Sequence, residues 1–230
     1  MPDKSPKKIS AMFDEIAPTY DKLNHAFTLN LDKKWRKDIA DDLIKSGIKF
    51  DTVLDLATGT GDLAIELLRL LPEKIVAADF SAEMLEFQRL HKSNQLIDLV
   101  HADAAALPFD NGEFDLVTVG FGVRNFNDLG KCLLEVNRVL RSGGMFVVIE
   151  MFRSGGLLNN LFDVYFSKIM PVIGNKVSGS SHAYTYLSES VNNFLTPGEF
   201  AGLCADSGFE FSRRVNNFLG IVNTLYMKKS

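Results

Sequence analysis

Disulfide and metal frameworks are the first classes this sequence excludes. The chain has 230 residues but only two cysteines, Cys132 and Cys204, far apart and without ligand-type spacing. They read as buried thiols of a reducing compartment. The four histidines, His25, His91, His101 and His182, form no metal motif. Positive charge is not in excess: 25 Lys and Arg against 29 Asp and Glu leave a net charge of −4. That excludes a broad basic field for nucleic acid. No apolar run reaches the length of a membrane span, and the N-terminus lacks a signal-peptide core. A cytoplasmic protein is expected. Internal repeats, low-complexity tracts and linkers are also missing. What remains is a globular composition, 46% hydrophobic and 23% charged, long enough for one large domain with a well-buried core.

The chain is organised around Leu54-Asp55-Leu56-Ala57-Thr58-Gly59-Thr60-Gly61-Asp62. An apolar run from Thr52 to Ala57 feeds a Gly-x-Gly turn, and a helical pattern opens at Asp62. Strand, tight turn and helix are the first unit of a doubly wound α/β sheet, with a nucleotide-type ligand expected at the strand's carboxyl end. The glycines allow a sharp turn and close approach of backbone N–H groups. About twenty residues on, a second run, Ile75-Val76-Ala77-Ala78, ends in Asp79. An acid there can accept both ribose hydroxyls of an adenosine.

The string Gly59-Thr60-Gly61-Asp62-Leu63-Ala64 also satisfies the NAD fingerprint, so an NAD-dependent dehydrogenase is the competing reading. Asp62 argues against it, because a carboxylate in the first helical turn repels a pyrophosphate. Asp55 adds a second negative charge. S-adenosylmethionine offers a sulfonium and an ammonium with one carboxylate and no phosphate, and suits this charge pattern better.

In chain order, Met1 to Lys8 reads as a frayed end. Phe13 to Leu31 is mixed aromatic and polar, too irregular for one helix, and is expected as a lid over the cofactor or a helical cap on the sheet. Lys33 to Ser46 is helical, with Trp35 in the core. Strands are expected at Thr52–Ala57, Ile75–Asp79, Ile97–His101, Phe114–Val119 and Met145–Glu150. Helices are expected at Asp62–Leu71, from Ala82 behind an N-cap at Ser81, and at Leu129–Leu140. Asp103-Ala104 follows the third strand, where the Asp can accept the adenine amino group or be a plain surface acid. Gly120-Phe121-Gly122-Val123-Arg124-Asn125 ends the fourth, aiming Arg124 and Asn125 at the cleft. Arg141-Ser142-Gly143-Gly144 reads as a tight helix-to-strand turn. Leu157 to Val172 breaks the pattern as an apolar insertion: a core helix, a wall for a greasy substrate or a membrane-facing patch. A last helix, Pro197–Ser207, and two antiparallel strands joined through Asn216-Asn217 close the chain.

Three stretches resemble the ubiquinone/menaquinone biosynthesis C-methyltransferases. They are Tyr20-Asp21-Lys22-Leu23-Asn24 with Trp35 downstream, Phe121-Gly122-Val123-Arg124-Asn125, and Arg138-Val139-Leu140 through Gly143-Gly144 to Glu150. The resemblance runs from about Phe13 to Lys228. It implies one class I methyltransferase domain over residues 1–230, with a doubly wound seven-stranded sheet and an antiparallel last strand. An N-terminal lid at about 10–50 and an apolar cap at about 151–196 complete it. S-adenosylmethionine is the implied cofactor, and a polyprenylated quinol ring the implied acceptor, demethylmenaquinol or its ubiquinone-pathway counterpart. Carried onto this chain, the family's cofactor positions are Thr60, Asp79, Asp103, Ala104 and Gly120, to which the turn adds Gly59 and Gly61. At Gly120, where the family often has Ser, only the backbone can contribute. Arg124 is expected to stabilise a phenolate and Asn125 to add a hydrogen bond. Tyr20, His182, an Asp or a water is left as proton acceptor. Transient membrane-surface contact and a homodimer complete the expectation, without nucleic acid.

Overall fold

The computed structural model describes residues 5–153 and 183–230. The expected Leu157–Val172 insertion and His182 lie outside them. Two helices precede the sheet, α1 (Pro6–Phe27) and α2 (Leu31–Lys45). The alternating units follow: β1 (Thr52–Leu56), α3 (Asp62–Leu67), β2 (Lys74–Asp79), α4 (Ala82–His91), β3 (Ile97–His101), β4 (Phe114–Gly120), α5 (Leu129–Val139) and β5 (Leu140–Met151). Then come α6 (Ala183–Asn192), α7 (Pro197–Asp206) and the hairpin β6 (Phe209–Phe218) and β7 (Val222–Lys229). The seven strands form one sheet in the order β3-β2-β1-β4-β5-β7-β6. Strands β1 to β5 pair in parallel, and β7 runs antiparallel between β5 and β6. No helix among the described residues is long and apolar enough to cross a membrane.

Side-chain alternation builds a core on each face of the sheet. Val53, Ile75, Ala77, Leu116 and Val147 point to the face covered by α2 and α3, where Trp35, Ile39, Leu43, Leu63 and Leu67 are buried. Leu54, Leu56, Val76, Ala78 and Val117 point to the other, where Cys132, Leu133 and Val136 of α5 and Phe200 and Cys204 of α7 meet them. The strand order reverses between β1 and β4, and their carboxyl ends diverge there into a crevice.

Three local expectations change. The segment from Phe13 onward is one 22-residue helix that begins at Pro6. Ile16, Ala17 and Leu23 form its buried stripe, packed with Met84 in a small cluster of their own. Pro18 lies on the exposed face, where its ring meets no packed neighbour, so tertiary contact on the other face carries the helix across it. Residues Arg141–Gly144 belong to β5 as an irregularity in its pairing with β4, between Phe114↔Leu140 and Leu116↔Met145. The closing hairpin turns at Leu219-Gly220, and Asn216 accepts the Gly220 N–H at 2.9 Å, so this asparagine caps the turn without making it.

Phe200 is fully buried and contacts the rings of Phe152 and Phe194 at centroid distances of 5.6 and 6.2 Å. Phe200→Ala leaves a cavity in a core that cannot collapse freely. It is expected to lower unfolding free energy by about 3–5 kcal/mol, read as a shifted urea midpoint at unchanged slope. A midpoint equal to the parent's would show that α7 adds nothing to the cooperative core.

Candidate active site

The crevice over β1, β2 and β4 holds a cavity of about 390 Å³. Gly59 and Thr60 of the turn, Asp79 after β2, and Asp103 and Ala104 after β3 lie on its wall. So do Gly120 and Asn125 after β4. Gly61 and Arg124 do not line it. Helix α1 supplies the roof with Ile9, Ser10, Phe13 and Tyr20.

Gly61 shapes the turn from behind. Its φ is +85°, and a Cβ there would come within 2.3 Å of the buried Gln88 side chain. Asp79 braces the turn from the side. One carboxylate oxygen accepts the Gly59 N–H and the other the Ser81 N–H, each at 2.8 Å. Burial raises the Asp79 carboxyl above its ordinary value, and these bonds oppose that only in part. Each oxygen keeps a lone pair for a ribose hydroxyl. Asp103 accepts the Ala105 N–H at 2.9 Å, which fixes its carboxylate at the cavity's other end. At Gly120 a Cβ would press on Leu63 Cδ2 at 3.3 Å, so the missing side chain also serves packing.

The acids behave differently from the charge argument based on sequence. Asp62 lies on the wall, but it is paired. Lys92 bonds it, Arg36 Nη1 lies 3.5 Å away and His25 Nε2 3.7 Å. Burial pushes the Asp62 carboxyl up, yet Arg36 and Lys92 outweigh it and hold it below its ordinary value. His25, Asp32 and Asp62 lie close enough together to resemble a metal site. Arg36 and Lys92 already supply the cations there: Arg36 also meets Asp32 at 2.6 Å. Asp55, also on the wall, has no cation partner among the described residues. It is buried, accepts the Thr58 and Thr118 hydroxyls at 2.7 Å each, and is pushed up to about 6 by burial. Of the two acids in the charge argument, Asp55 is therefore the one without a cation partner among the described residues, and Asp62 is not.

Arg124 sits behind the wall and does not project into the cavity. Its Nη1 donates to Glu150 at 2.6 Å and to the Phe121 carbonyl at 2.7 Å, and its Nε has no partner among the described residues. Burial works against its charge, but Glu150 more than compensates and keeps it charged. Asn125 is the member of this turn that faces the cavity. Tyr20 lies opposite on α1; burial raises its phenol, offset in part by Arg124 and Arg36, so it stays protonated at neutral pH.

Several contributors escape a reading of the sequence. Asp14 accepts the Ser81 hydroxyl and Asp21 the Thr60 hydroxyl, each at 2.5 Å, and Asp21 also pairs with Lys92 at 2.7 Å. Asp14 and Asp21 are one heptad apart on α1 and so share a face, the one signal available. Arg36 lines the wall as well. Of the nearby aromatics, Phe13 and Phe121 line the cavity, while Phe27 packs on the α1 cluster.

A family model described as the ubiE/COQ5 methyltransferase family matches residues 1–229. A demethylmenaquinone methyltransferase of Thermus thermophilus is 42% identical over 86% of this chain and 91% of its own. One of Chlorobaculum tepidum is 39% identical over 90% and 86%. A Geobacter protein named ubiquinone/menaquinone biosynthesis C-methyltransferase UbiE is 38% identical over 96% and 95%. Among solved structures, the cyclase SpnF matches with a TM-score of 0.67 at 14% identity, over 98% of this chain and 96% of that one. A SAM-dependent methyltransferase of Thermotoga maritima matches with a TM-score of 0.65 at 16% identity, over 96% and 99%. At such identities these structures establish the fold alone, and the cyclase shows that the fold does not dictate the chemistry.

The pH response of Asp55 has a definite sign. Its folded value, about 6, lies above the ordinary 3.8, so folding favours the neutral acid. The associated stability, about 3 kcal/mol, is complete below the ordinary value and is lost as pH rises through about 6. Asp55→Asn should restore up to that amount at neutral pH. A cationic ligand needs the charged form, so calorimetry with S-adenosylhomocysteine, which carries an ammonium, should show affinity falling as pH drops through about 6. In Asp55→Asn this step should vanish. A step of equal size in the variant would assign it elsewhere.

Proposed function

The chain belongs to the ubiE/COQ5 methyltransferase family, and we propose that it methylates a ring carbon of demethylmenaquinol with S-adenosylmethionine as donor. The observation that carries this reading is the meeting, in one cavity of a chain matched to that family from residue 1 to 229, of the Asp79-braced turn, Asp55 and Asn125. The donor set fits the cofactor: Asp79 for the ribose hydroxyls, Asp103 for the adenine amino group, Asp55 for the cationic end and Arg36 for the carboxylate. Bound there, S-adenosylmethionine supplies an electrophilic methyl group.

The residues of the chain act on the acceptor. A quinol carbon becomes nucleophilic when a neighbouring hydroxyl gives up its proton to a water molecule, as the ring carbon later does, and the resulting oxyanion must be held away from bulk solvent. Asn125 donates to that oxygen from the wall, and the protonated Tyr20 donates from the roof. Arg124, paired with Glu150 behind the wall, holds the turn from which Asn125 projects. After methylation, loss of the ring proton restores aromaticity. Phe13 and Phe121 give the first isoprene units of the tail an apolar surface, and transient contact with a membrane surface delivers such a substrate.

Demethylmenaquinol is preferred over the ubiquinone-pathway quinol because several relatives at 38–42% identity carry the demethylmenaquinone name alone. Incubation with labelled S-adenosylmethionine and both demethylated quinols is expected to yield labelled menaquinol. Label only in the benzoquinol product would reverse the order, and label in neither would remove the function. Asn125→Ala should lower kcat about 10²-fold with the cofactor KM little changed. Arg124→Ala confounds stability with chemistry, because it strands the buried Glu150 at a cost of about 3–5 kcal/mol. The cleaner variant, Arg124→Met with Glu150→Leu, should fold and still turn over more slowly. Liposome flotation should carry part of the protein upward with the lipid; complete exclusion from lipid would remove the membrane contact.

A further inference from the structure

Asn125 raises a question of orientation. A carboxamide has two nearly isosteric settings related by a flip, and its hydrogen bonds decide which is held. Here Oδ1 accepts the hydroxyl of Tyr186 on α6 at 3.1 Å. The Nδ2 group has no partner among the described residues, and Asn125 lies on the cavity wall. We infer that Tyr186 is a positioning residue of the reaction: its hydroxyl locks the Asn125 amide with its donor side toward the substrate. The inference rests on the function proposed above.

The physical consequence is large for so small a group. With Oδ1 held by Tyr186, the cavity meets an N–H donor, which favours an oxyanion. With the amide flipped, the same oxyanion would meet a carbonyl oxygen and be repelled. A flipped amide could donate to the phenol oxygen, but it would leave the Tyr186 O–H without its acceptor, since Oδ1 is the group that takes this proton among the described residues. Burial and Glu150 raise the Tyr186 phenol while Arg124 opposes them, and the net shift is upward, so the proton is retained at neutral pH.

Tyr186 also connects the wall to the roof. Leu187, its neighbour on α6, packs against both the α1 cluster and the α2–α3 core. The tyrosine therefore reaches Asn125 only when α6 is seated beside α1. Correct amide orientation is coupled to assembly of the roof over the cavity, by contacts from a helix that carries no cofactor-binding residue.

The test is Tyr186→Phe, which keeps the ring and removes the hydroxyl. It is expected to lower kcat about tenfold, with the KM for S-adenosylmethionine and the Tm unchanged. In an Asn125→Ala background the same substitution should change kcat less than twofold, because the group it orients is gone. Without substrate or cofactor, the side-chain amide NMR signals of Asn125, assigned by their loss in Asn125→Ala, should move in Tyr186→Phe. A single-variant kcat within twofold of the parent, a full effect in the Asn125→Ala background, or unmoved amide signals would each overturn the inference. Absence of methylated quinol with the parent protein would instead sink the proposed function, and the amide signals would still decide this inference.

Discussion

Carboxylates gathered at the carboxyl ends of parallel strands must each be satisfied before any ligand arrives, and this constraint orders the whole site. Asp79 is satisfied by backbone: the Gly59 and Ser81 N–H groups bind its two oxygens and thereby weld the glycine turn to the end of β2. Asp55 is satisfied by the Thr58 and Thr118 hydroxyls, which stabilise its charge far less than a cation would and leave it raised to about 6. Asp62 is satisfied by Lys92, Arg36 and His25. Three acids within one cavity therefore present three different electrostatic states. Asp62 has its charge met by cations, whereas Asp79 and Asp55 meet neutral donors and keep charge to offer a ligand.

The same requirement fastens the roof. Helix α1 shares only a small apolar cluster with α4, too little by itself to fix a helix of this length. Its acids, Asp14 and Asp21, reach down to Ser81 in the loop after β2 and to Thr60 in the glycine turn itself. These bonds to hydroxyls and to Lys92 hold α1 where Phe13 and Tyr20 close the cavity. Polar groups that a bare loop would leave to water become the attachment points of the element that excludes water.

How much of this is legible in the sequence depends on distance along the chain. Strands β1 to β4 announce themselves through short, mostly apolar runs, and the turn through glycines that no side chain could replace at Gly61. The Ser81 cap is legible too, since it acts three residues away on Met84 N–H at 3.1 Å. Helix α1 is obscured by Pro18 and by polar residues whose partners are not local. The pairing of Asp21 with Thr60 spans 39 residues and that of Asn125 with Tyr186 spans 61, with no period to link them. Arg124 is legible as a residue that matters and illegible in its direction, because nothing near it in sequence reveals Glu150 beneath.

That hidden partner explains why an arginine stands there at all. The turn after β4 forces Phe121 to a φ of +59°, a conformation unfavourable for a bulky residue. Arg124 holds the turn closed: its Nη1 bonds the Phe121 carbonyl, while its own N–H and Nη1 bond Glu150 at 3.3 and 2.6 Å. Glu150 is anchored in turn on β5, the strand beside β4. Both side-chain bonds leave from one nitrogen, so its two N–H groups join the Phe121 carbonyl to the Glu150 carboxylate. The ion pair therefore fixes the backbone from which Asn125 projects, and its burial is what lets a strained turn stand at the edge of a cavity without relaxing into it.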